Sequence, residues 1–252
     1  MVSGPTSAVY NPAAIAFSPR PGVALMHTSH FGDTKAEFIG FTMLPGRLAI
    51  SPHFWGTRVP DIEYRTSPTR QPISTFDATS EAVGAAAGWR VNDRLAVGAT
   101  LHYLHQKIQA EGTDGWTVDA GVMGRPPLPG LTLGAAVNHL GKLSSFVDER
   151  PQLPMTLRMG GAYEHALGKA GSLMLVADGQ AVKDNTPRFA AGVEWRAPDY
   201  VAVRAGYTEG LDTQNLSLGF GIRFRQFHVD YAFIPYLEEL GDGHRFSFSF
   251  DL

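Results

Sequence analysis

Bulky apolar side chains alternate with small or polar ones along most of the chain, which is the period of a β-strand and not of a helix. The sharpest run places Leu216, Leu218, Phe220, Ile222 and Phe224 at alternate positions, with serine, glycine or arginine between them. We find no convincing 3.6-residue apolar stripe after residue 20. Such runs predict fourteen strands, at 22–30, 35–44, 47–55, 74–91, 95–103, 115–124, 131–139, 155–164, 172–181, 188–196, 200–208, 216–224, 227–233 and 245–252.

The connections between these strands fall into two classes. Tight turn signals, such as Pro45-Gly46, Asn92-Asp93 and Ala197-Pro198, occur at every second connection. The other connections are longer or more polar, and we predict loops at 56–73, 111–114, 141–153, 183–185, 209–213 and 236–243. An even strand number with short turns on one side is typical of bacterial outer-membrane barrels. The sequence therefore predicts an all-β fold, a closed antiparallel transmembrane β-barrel of about 14 strands.

The strands of a soluble β-sandwich also alternate between apolar and polar side chains. The composition of the two strand faces therefore has to distinguish a sandwich from a membrane barrel. The polar face is rich in Gly, Ala, Ser and Thr and carries single charges of both signs, which suits a crowded lumen better than a solvated surface. Aromatic residues near strand ends, including Trp55, Trp89 and Trp116, suit interfacial girdles. We predict eight charges in the lumen: Asp119, Arg158, Asp178, Arg188, Glu194, Arg204, Arg223 and Asp230.

Composition excludes several other classes of protein. The 252 residues include no Cys, so disulfide scaffolds, thiol catalysis and Cys-based zinc sites are excluded. A formal net charge of −3 argues against a nucleic-acid partner. No apolar stretch approaches the roughly 18 residues of a membrane-spanning helix.

No recognised catalytic or cofactor-binding motif is present in the sequence. The pairs His27/His30 and His102/His105 are three residues apart, which puts the members of each pair on opposite faces of a strand. We therefore predict no metal, no cofactor and no enzymatic activity. The alternative is a Ser–His pair assembled across neighbouring strands, for which Ser217 and His228 are the nearest candidates.

The first twenty residues differ from the remainder of the chain. Residues 1–19 carry no charge, and Pro5 and Pro12 interrupt any apolar core, so the segment does not match a signal peptide. We expect the sequence to begin after a signal peptide or to be truncated. Residues 11–16 predict a short helical turn started by proline. We therefore divide a single-domain chain into a hatch or plug segment at 1–20 and a barrel at 21–252, with a mobile tail as the alternative for the first segment.

Several phrases carry a family resemblance. The stretch Asn11-Pro12-Ala13 ahead of a fourteen-strand pattern resembles the N-terminal hatch of FadL-like outer-membrane barrels. The phrases LRMGGAYE (157–164), AAGVEW (190–195), VAVRAGYTEG (201–210), LSLGFGI (216–222) and VDYAF (229–233), with the closing HRFSFSFDL, are closer to the PorV/PorQ branch of that superfamily. A glycine-rich segment usually precedes NPA in the family and is missing here. The chain also ends in Leu252, whereas an aromatic residue at the C-terminus is the more usual assembly signal of outer-membrane barrels.

The resemblance implies a non-enzymatic role in the outer membrane of a diderm bacterium. A PorV/PorQ-type barrel would be a surface scaffold of type IX secretion, binding secreted or translocon proteins through the loops 56–73, 141–153 and 236–243. The alternative is FadL-like, hatch-gated passage of hydrophobic solutes, for which a lateral opening is expected near Pro52. In both cases Asn11, Pro12 and Ala13 would be hatch residues. The lumenal charges would pair to hold the hatch and close the pore, or would take part in substrate passage.

Overall fold

The fourteen predicted strands are all present, and they close into one antiparallel barrel. The computed structural model describes residues 4–144, 153–198 and 200–252. Each strand pairs with its neighbours in sequence, and β1 pairs with β14. The strands are β1 (Gly22–Ser29), β2 (Lys35–Thr42), β3 (Leu48–Tyr64), β4 (Ser74–Asn92), β5 (Leu95–Ile108), β6 (Glu111–Gly124), β7 (Leu131–Leu143), β8 (Thr156–Ala166), β9 (Ser172–Val182), β10 (Arg188–Arg196), β11 (Val201–Glu209), β12 (Leu216–Phe224), β13 (Phe227–Pro235) and β14 (Asp242–Asp251).

Three 3₁₀ helices accompany the barrel, at Pro5–Val9, Pro12–Phe17 and Gly168–Ala170. Among the described residues no helix has the length and apolar character that crossing a membrane requires. The start of β1 and the end of β14 lie at the same end of the barrel, together with six of the connections between strands. We call this end the turn end. The other seven connections form the loop end.

Two of the predicted loops were wrong. Residues 56–64 belong to β3, because a bulge between Val59 and Ile62, with Asp61 at φ 54°, lets the strand continue. Residues 111–114 belong to β6, and Gln109, at φ 57°, makes the preceding turn tight. The loop predicted at 236–243 ends where β14 begins at Asp242, and most of the loop predicted at 141–153 lies outside the described residues.

The strands are of unequal length. Strands β3 to β7 have 13 to 19 residues, whereas the other nine have 8 to 11. The registers place the additional residues of β3 to β6 mainly at the loop end. One side of the barrel wall is therefore taller than the other.

The apolar face of the strands lies on the outside of the barrel. Leu101, Leu218 and Phe220 each expose 43% to 50% of their surface, whereas the alternate side chains on β5 are buried. This is the arrangement that a barrel surrounded by lipid requires and that a sandwich would reverse. Trp89 and Trp116 are exposed on the outside as predicted for girdles. Trp55 was predicted wrongly, because it points inward and packs against Phe38 with ring centroids 6.1 Å apart.

A sharp polar boundary limits this apolar surface on β1 to β6. One row across these strands consists of outward apolar or aromatic side chains: Leu25, Ile39, Phe54, Val83, Tyr103 and Trp116. The next outward row toward the loop end contains five ionisable residues: His27, Glu37, Glu81, His105 and Asp114. Some of these groups pair across strands, with His27 Nδ1 2.6 Å from Glu37 Oε1. This abrupt change from apolar to ionisable side chains marks the edge of the lipid-facing belt nearest the loop end.

The loops on either side of the β1–β14 seam are joined at the loop end. His30 Nδ1 lies 2.8 Å from the Tyr236 hydroxyl, and the Phe31 ring meets the Tyr236 ring edge-on. Burial lowers the pKa of His30, and the positive charge of Arg245 lowers it further. His30 is therefore neutral at pH 7, when its nitrogen can share a hydrogen bond with the tyrosine.

The lipid-facing assignment can be tested on β5. Replacing Leu101, two positions below Tyr103, by Arg is expected to reduce the free energy of unfolding by about 2–4 kcal/mol, because a guanidinium must enter hydrocarbon. The matched control is His105→Arg on the same outward face of the same strand, in the ionisable row that bounds the belt. That change should have an effect below about 1 kcal/mol. Urea unfolding in lipid vesicles measures both, and equal losses would contradict the assignment.

Candidate functional site

The segment Gly4–Ser18, which we call the plug, fills part of the lumen. The helix at Pro12–Phe17 is buried at all six positions and packs against β3 to β6, while the helix at Pro5–Val9 packs against β1 to β3. Gly4 N donates to Ser18 Oγ at 3.2 Å, which closes the segment on itself. The helical turn predicted at 11–16 is present, with Pro12 at its first position.

Three glycines on adjacent strands form the seat of the plug. Gly88, Gly98 and Gly121 occupy one row of β4, β5 and β6. A Cβ on Gly98 would lie 2.5 Å from the carbonyl carbon of Pro12, and one on Gly88 would lie 2.8 Å from Ile15 Cγ1. A Cβ on Gly121 would overlap the Asn11 side-chain amide. The backbone of the plug therefore approaches the wall so closely that only glycine fits.

Asn11 connects the plug to the wall by two hydrogen bonds and makes a third within the plug. Its Nδ2 donates to the carbonyl oxygens of Val122 on β6 at 3.0 Å and Ala135 on β7 at 3.3 Å. Its Oδ1 accepts from the backbone N–H of Ala13 at 3.0 Å, which caps the helix. One side chain thus starts the helix and fixes it against two strands.

Arginines hold the other parts of the plug. Arg90 donates from Nε and Nη2 to the Ala16 carbonyl, at 3.1 and 2.6 Å, at the end of the second helix. The Arg125 guanidinium lies 4.1 Å from the centre of the Phe17 ring, which is within the range of a cation–π contact. Arg158, one of the predicted lumenal charges, lies 5.5 Å from the centre of the Tyr10 ring.

The eight predicted lumenal charges all occur at inward positions of their strands, and three of them form one network. Arg204 contacts Glu194 and Asp230, each at 2.5 Å. Glu194 also pairs with Arg196, which reaches Glu164 at 3.2 Å. These ion pairs lie on β8, β10, β11 and β13, whereas the plug helices pack mainly against β1 to β6. Within the described residues, the ion pairs of these groups therefore join them to one another and not to the plug.

The remaining predicted charges are separate from that network. Asp119 lies on β6 and accepts the backbone N–H of His139 at 2.8 Å. Asp178 is attracted electrostatically by Arg158. Arg188 is half-buried, and its Nε makes no hydrogen bond within the described chain. Arg223 is exposed near the turn end.

The Ser–His alternative was wrong in its geometry. Ser217 lies at the loop end of β12, where its hydroxyl donates to the Gly206 carbonyl at 3.4 Å. His228 pairs with Arg223 near the turn end, and its Nε2 lies 3.2 Å from Asp251. The two side chains are therefore at opposite ends of the hairpin.

A continuous set of buried polar side chains crosses the inner wall just above the glycine seat. We call it the inner polar band, and it consists of Thr42, Ser51, His53, Thr100, His102, Thr117, Asp119 and Asn138, all 7% exposed or less. As the spacing predicted, His102 points inward and His105 outward. None of the described residues forms a group of three or more ligands arranged to hold a metal ion.

A hydrogen-bonded chain of groups follows this band. His53 Nδ1 lies 3.0 Å from the Ser51 carbonyl, which can only accept, so His53 donates there. When His53 is neutral, its Nε2 then accepts from Nε2 of His102 at 2.9 Å. The hydrogen-bonded chain ends at His102, whose Nδ1 lies 3.8 Å from Asp119 Oδ2, beyond hydrogen-bond distance. At the other end, Thr42 Oγ1 donates to Ser51 Oγ at 3.1 Å.

The strand ladder between β2 and β3 is interrupted at Pro52. Continuous pairing from Lys35↔Arg58 stops at Gly40↔His53, and only an isolated bridge joins Met43 to Ile50 beyond it. That bridge exchanges both backbone hydrogen bonds, so the position of Pro52 opposite Phe41 requires an N–H donor that proline lacks. Toward β4, Pro52 pairs with Ala85 in an unbroken stretch of the ladder.

An apolar depression of about 560 Å³ lies on the outer wall beside this interruption. Its outward lining comes from β13, β14 and β1 to β3, and includes Val229, Phe248, Leu25, Ile39 and Phe54. On the lumenal side of the same wall, Met26 and Phe38 form a buried apolar cluster with Trp55 packed against it. Apolar surfaces therefore face each other across the wall at β1 to β3.

Sequence reasoning missed most of the plug contacts and the inner polar band. The glycine seat had a signal in the small residues at inward positions of consecutive strands, as in Gly84–Gly88. Nothing in the sequence indicated that Arg90 and Arg125 contact the plug, because an arginine near a turn is ordinary in any barrel. His102 was considered only as a metal ligand together with His105 on its own strand, and His53 was not singled out. The two histidines His53 and His102 meet between β3 and β5.

No protein-family model and no curated protein matches the chain. Its fold is similar to that of the P. putida toluene transporter TodX, with a TM-score of 0.67 and 11% identity over 100% of this chain and 96% of that one. It is also similar to the CymD monoaromatic hydrocarbon channel, with a TM-score of 0.69 and 12% identity over 99% and 93%. A Pseudomonas aeruginosa FadL homologue gives a TM-score of 0.57 and 14% identity over 98% and 94%.

These similarities confirm the predicted fold, a closed FadL-like barrel of fourteen strands. None of the three structures is described as a secretion protein, so the PorV/PorQ branch is not confirmed and stays a prediction.

The glycine seat makes a specific prediction about the plug. In Gly98→Ala the added methyl must displace the Pro12 backbone, so the plug is expected to leave its seat. The chain has no Cys, and Ala14→Cys therefore places a single thiol at a position that is 5% exposed. Maleimide labelling of this thiol should become at least about tenfold faster in the Gly98→Ala background, which corresponds to about 1.4 kcal/mol of plug destabilisation.

Gly124→Ala is the matched control, because its Cβ would meet nothing nearer than 3.8 Å. The labelling rate in that background should stay unchanged. Equal rates in the two backgrounds would show that the seat does not hold the plug.

Proposed function

We propose that this chain is a non-enzymatic outer-membrane conduit for hydrophobic solutes, closed by the plug and opening sideways through the wall near Pro52. The observation that carries the proposal is the interrupted β2–β3 ladder between an apolar depression outside and an apolar cluster inside. A hydrophobic solute gains nothing by entering water above the barrel. A sideways route lets it pass between the lumen and lipid without that step.

The plug supports a gated form of this conduit. It is held by hydrogen bonds, cation–π contacts and close packing, all of which lie outside the strand ladder that closes the barrel. Asn11, Pro12 and Ala13 are proposed as the hatch residues because they occupy the glycine seat. The ion pairs of Arg204 are proposed to fill the lumen on the opposite side.

The similar structures support a hydrophobic solute and an outer-membrane location. They are titled a toluene transporter, a monoaromatic hydrocarbon channel and a FadL homologue. At 11–14% identity they leave the solute of this chain to be proposed from its own residues. The partners proposed here are outer-membrane lipid and a small hydrophobic ligand.

The secretion-scaffold hypothesis stays a prediction that none of these similarities supports. Co-purification from detergent-solubilised membranes distinguishes it from the conduit. A protein bound in stoichiometric amount would favour the scaffold, whereas a barrel recovered alone with a hydrophobic molecule favours the conduit.

Uptake by intact cells tests the conduit directly. We expect a diderm host that lacks its own hydrophobic-uptake channel to take up radiolabelled toluene several-fold faster when it carries this chain. Intact cells are needed because toluene crosses simple phospholipid bilayers unaided. An initial rate equal to that of cells without the chain would refute the proposal.

Pro52→Ala tests the sideways opening. The new backbone N–H can donate to the Phe41 carbonyl and complete the ladder, so uptake is expected to fall at least about fivefold while the barrel becomes slightly more stable. Pro60→Ala is the control on the same strand, near the bulge at the loop end, and should leave uptake unchanged. Undiminished uptake by Pro52→Ala would place the exit elsewhere.

A further inference from the structure

Four buried polar atoms in the inner polar band have no hydrogen-bond partner within the described residues. They are Thr100 Oγ1, Thr117 Oγ1 and both Nδ2 and Oδ1 of Asn138, and their side chains are 1–2% exposed. Most buried polar side-chain atoms in proteins are paired, since an unpaired one loses its hydration without compensation. A group of four in one place therefore points to a partner that the barrel itself does not supply.

The strand registers bring these atoms together. Thr100 pairs with Asp119 and His102 pairs with Thr117, so the four residues occupy two adjacent inward rows of β5 and β6. A bulge in β7, with His139 at φ 62°, sets Asn138 opposite Asp119. Bulges commonly re-aim side chains at functional sites. The cluster is thus built by the fold rather than scattered.

The cluster also lies on the route proposed for the solute. Thr100 is two residues from Gly98, and Asp119 is two residues from Gly121, so both are one inward row above the glycine seat. From there the hydrogen-bonded chain of His102 and His53 leads to Ser51, the neighbour of Pro52. The apolar cluster runs beside it, since the Phe38 ring stacks on His53 with centroids 6.0 Å apart.

The chemistry of the four atoms selects the kind of group they would bind. Threonine hydroxyls both donate and accept, and the Asn138 amide supplies two donors and one acceptor. A neutral hydroxyl also does both, and satisfies such a set without adding charge. A carboxylate would meet the Asp119 carboxyl across one strand pair, with no arginine of the described chain hydrogen-bonded to the band.

We propose that Thr100, Thr117 and Asn138 bind the neutral hydroxyl group of an otherwise apolar solute, so that this conduit prefers phenols or alcohols to plain hydrocarbons. The apolar part of the solute lies along the Met26 and Phe38 cluster, and its hydroxyl exchanges partners along the band toward Ser51. This inference rests on the proposed conduit function and narrows its substrate class.

Three probes with the same ring test the inference by ¹⁹F NMR titration of the purified full-length barrel in detergent, with detergent alone as the blank. They are 4-fluorophenol, fluorobenzene and 4-fluorobenzoate. The phenol is expected to bind about tenfold more tightly than fluorobenzene, the effect of one or two added hydrogen bonds. The benzoate is expected to bind more weakly than the phenol.

The double variant Thr100→Val with Thr117→Val removes two hydroxyls at nearly constant volume. It should reduce phenol affinity to that of fluorobenzene and leave fluorobenzene affinity unchanged or raised. Asn138→Leu should reduce the preference for phenol in the same direction. Thr28→Val, at another buried threonine on the inner face of β1, is the control and should preserve the preference.

The outcomes separate this inference from the conduit itself. Equal binding of phenol and fluorobenzene by the unaltered barrel, or a preference that survives in the double variant, overturns the hydroxyl site and leaves the conduit standing. Tightest binding by the benzoate overturns it in favour of an anion site. Binding of none of the three, with no uptake of toluene by cells, removes both proposals. If the double variant does not assemble, the comparison of the three probes on the unaltered barrel decides.

Discussion

A backbone surrounded by hydrocarbon must satisfy its own hydrogen bonds, and this constraint governs the whole structure. Closing β1 onto β14 leaves no free edge, so the strands can present apolar side chains on their outer face without exposing an unpaired strand edge to hydrocarbon. Against that background, one missing donor at Pro52 matters more than it would in water. The flanking pairs Gly40↔His53 and Met43↔Ile50 keep the same register, so the defect is confined to two positions.

The interior follows from a different constraint, which is space. Fourteen strands enclose more volume than the inward side chains fill, and the plug takes up part of the remainder. Glycines at 88, 98 and 121 bring its backbone against the wall, and Asn11 satisfies wall carbonyls that the approach would otherwise leave covered. On the opposite side, Arg204 pairs with two carboxylates, and paired charges in a lumen are far less costly than unpaired ones.

Much of the barrel could be predicted from the sequence, because period-two alternation is a property of each strand alone. Strand number, inside–outside orientation and the inward position of charges such as Asp119 and Arg204 all follow from it. Loop lengths did not follow, since the bulge near Asp61 depends on pairing with β4 rather than on local composition. The contact of His53 with His102 needed the register of three strands, because each histidine taken alone is an ordinary residue of a polar face.

The unequal strand lengths have a consequence for how the barrel meets its surroundings. Strands β3 to β6 extend past the ionisable row at Glu81 and His105, so the rim at the loop end is higher on that side of the barrel than on the other. The tall side, at β3 to β6, rises well beyond that row, while the low side, at β1 and β14, ends close to it. The apolar depression therefore opens on the low side, where the wall ends close to His27 and Glu37, two of the residues that line it.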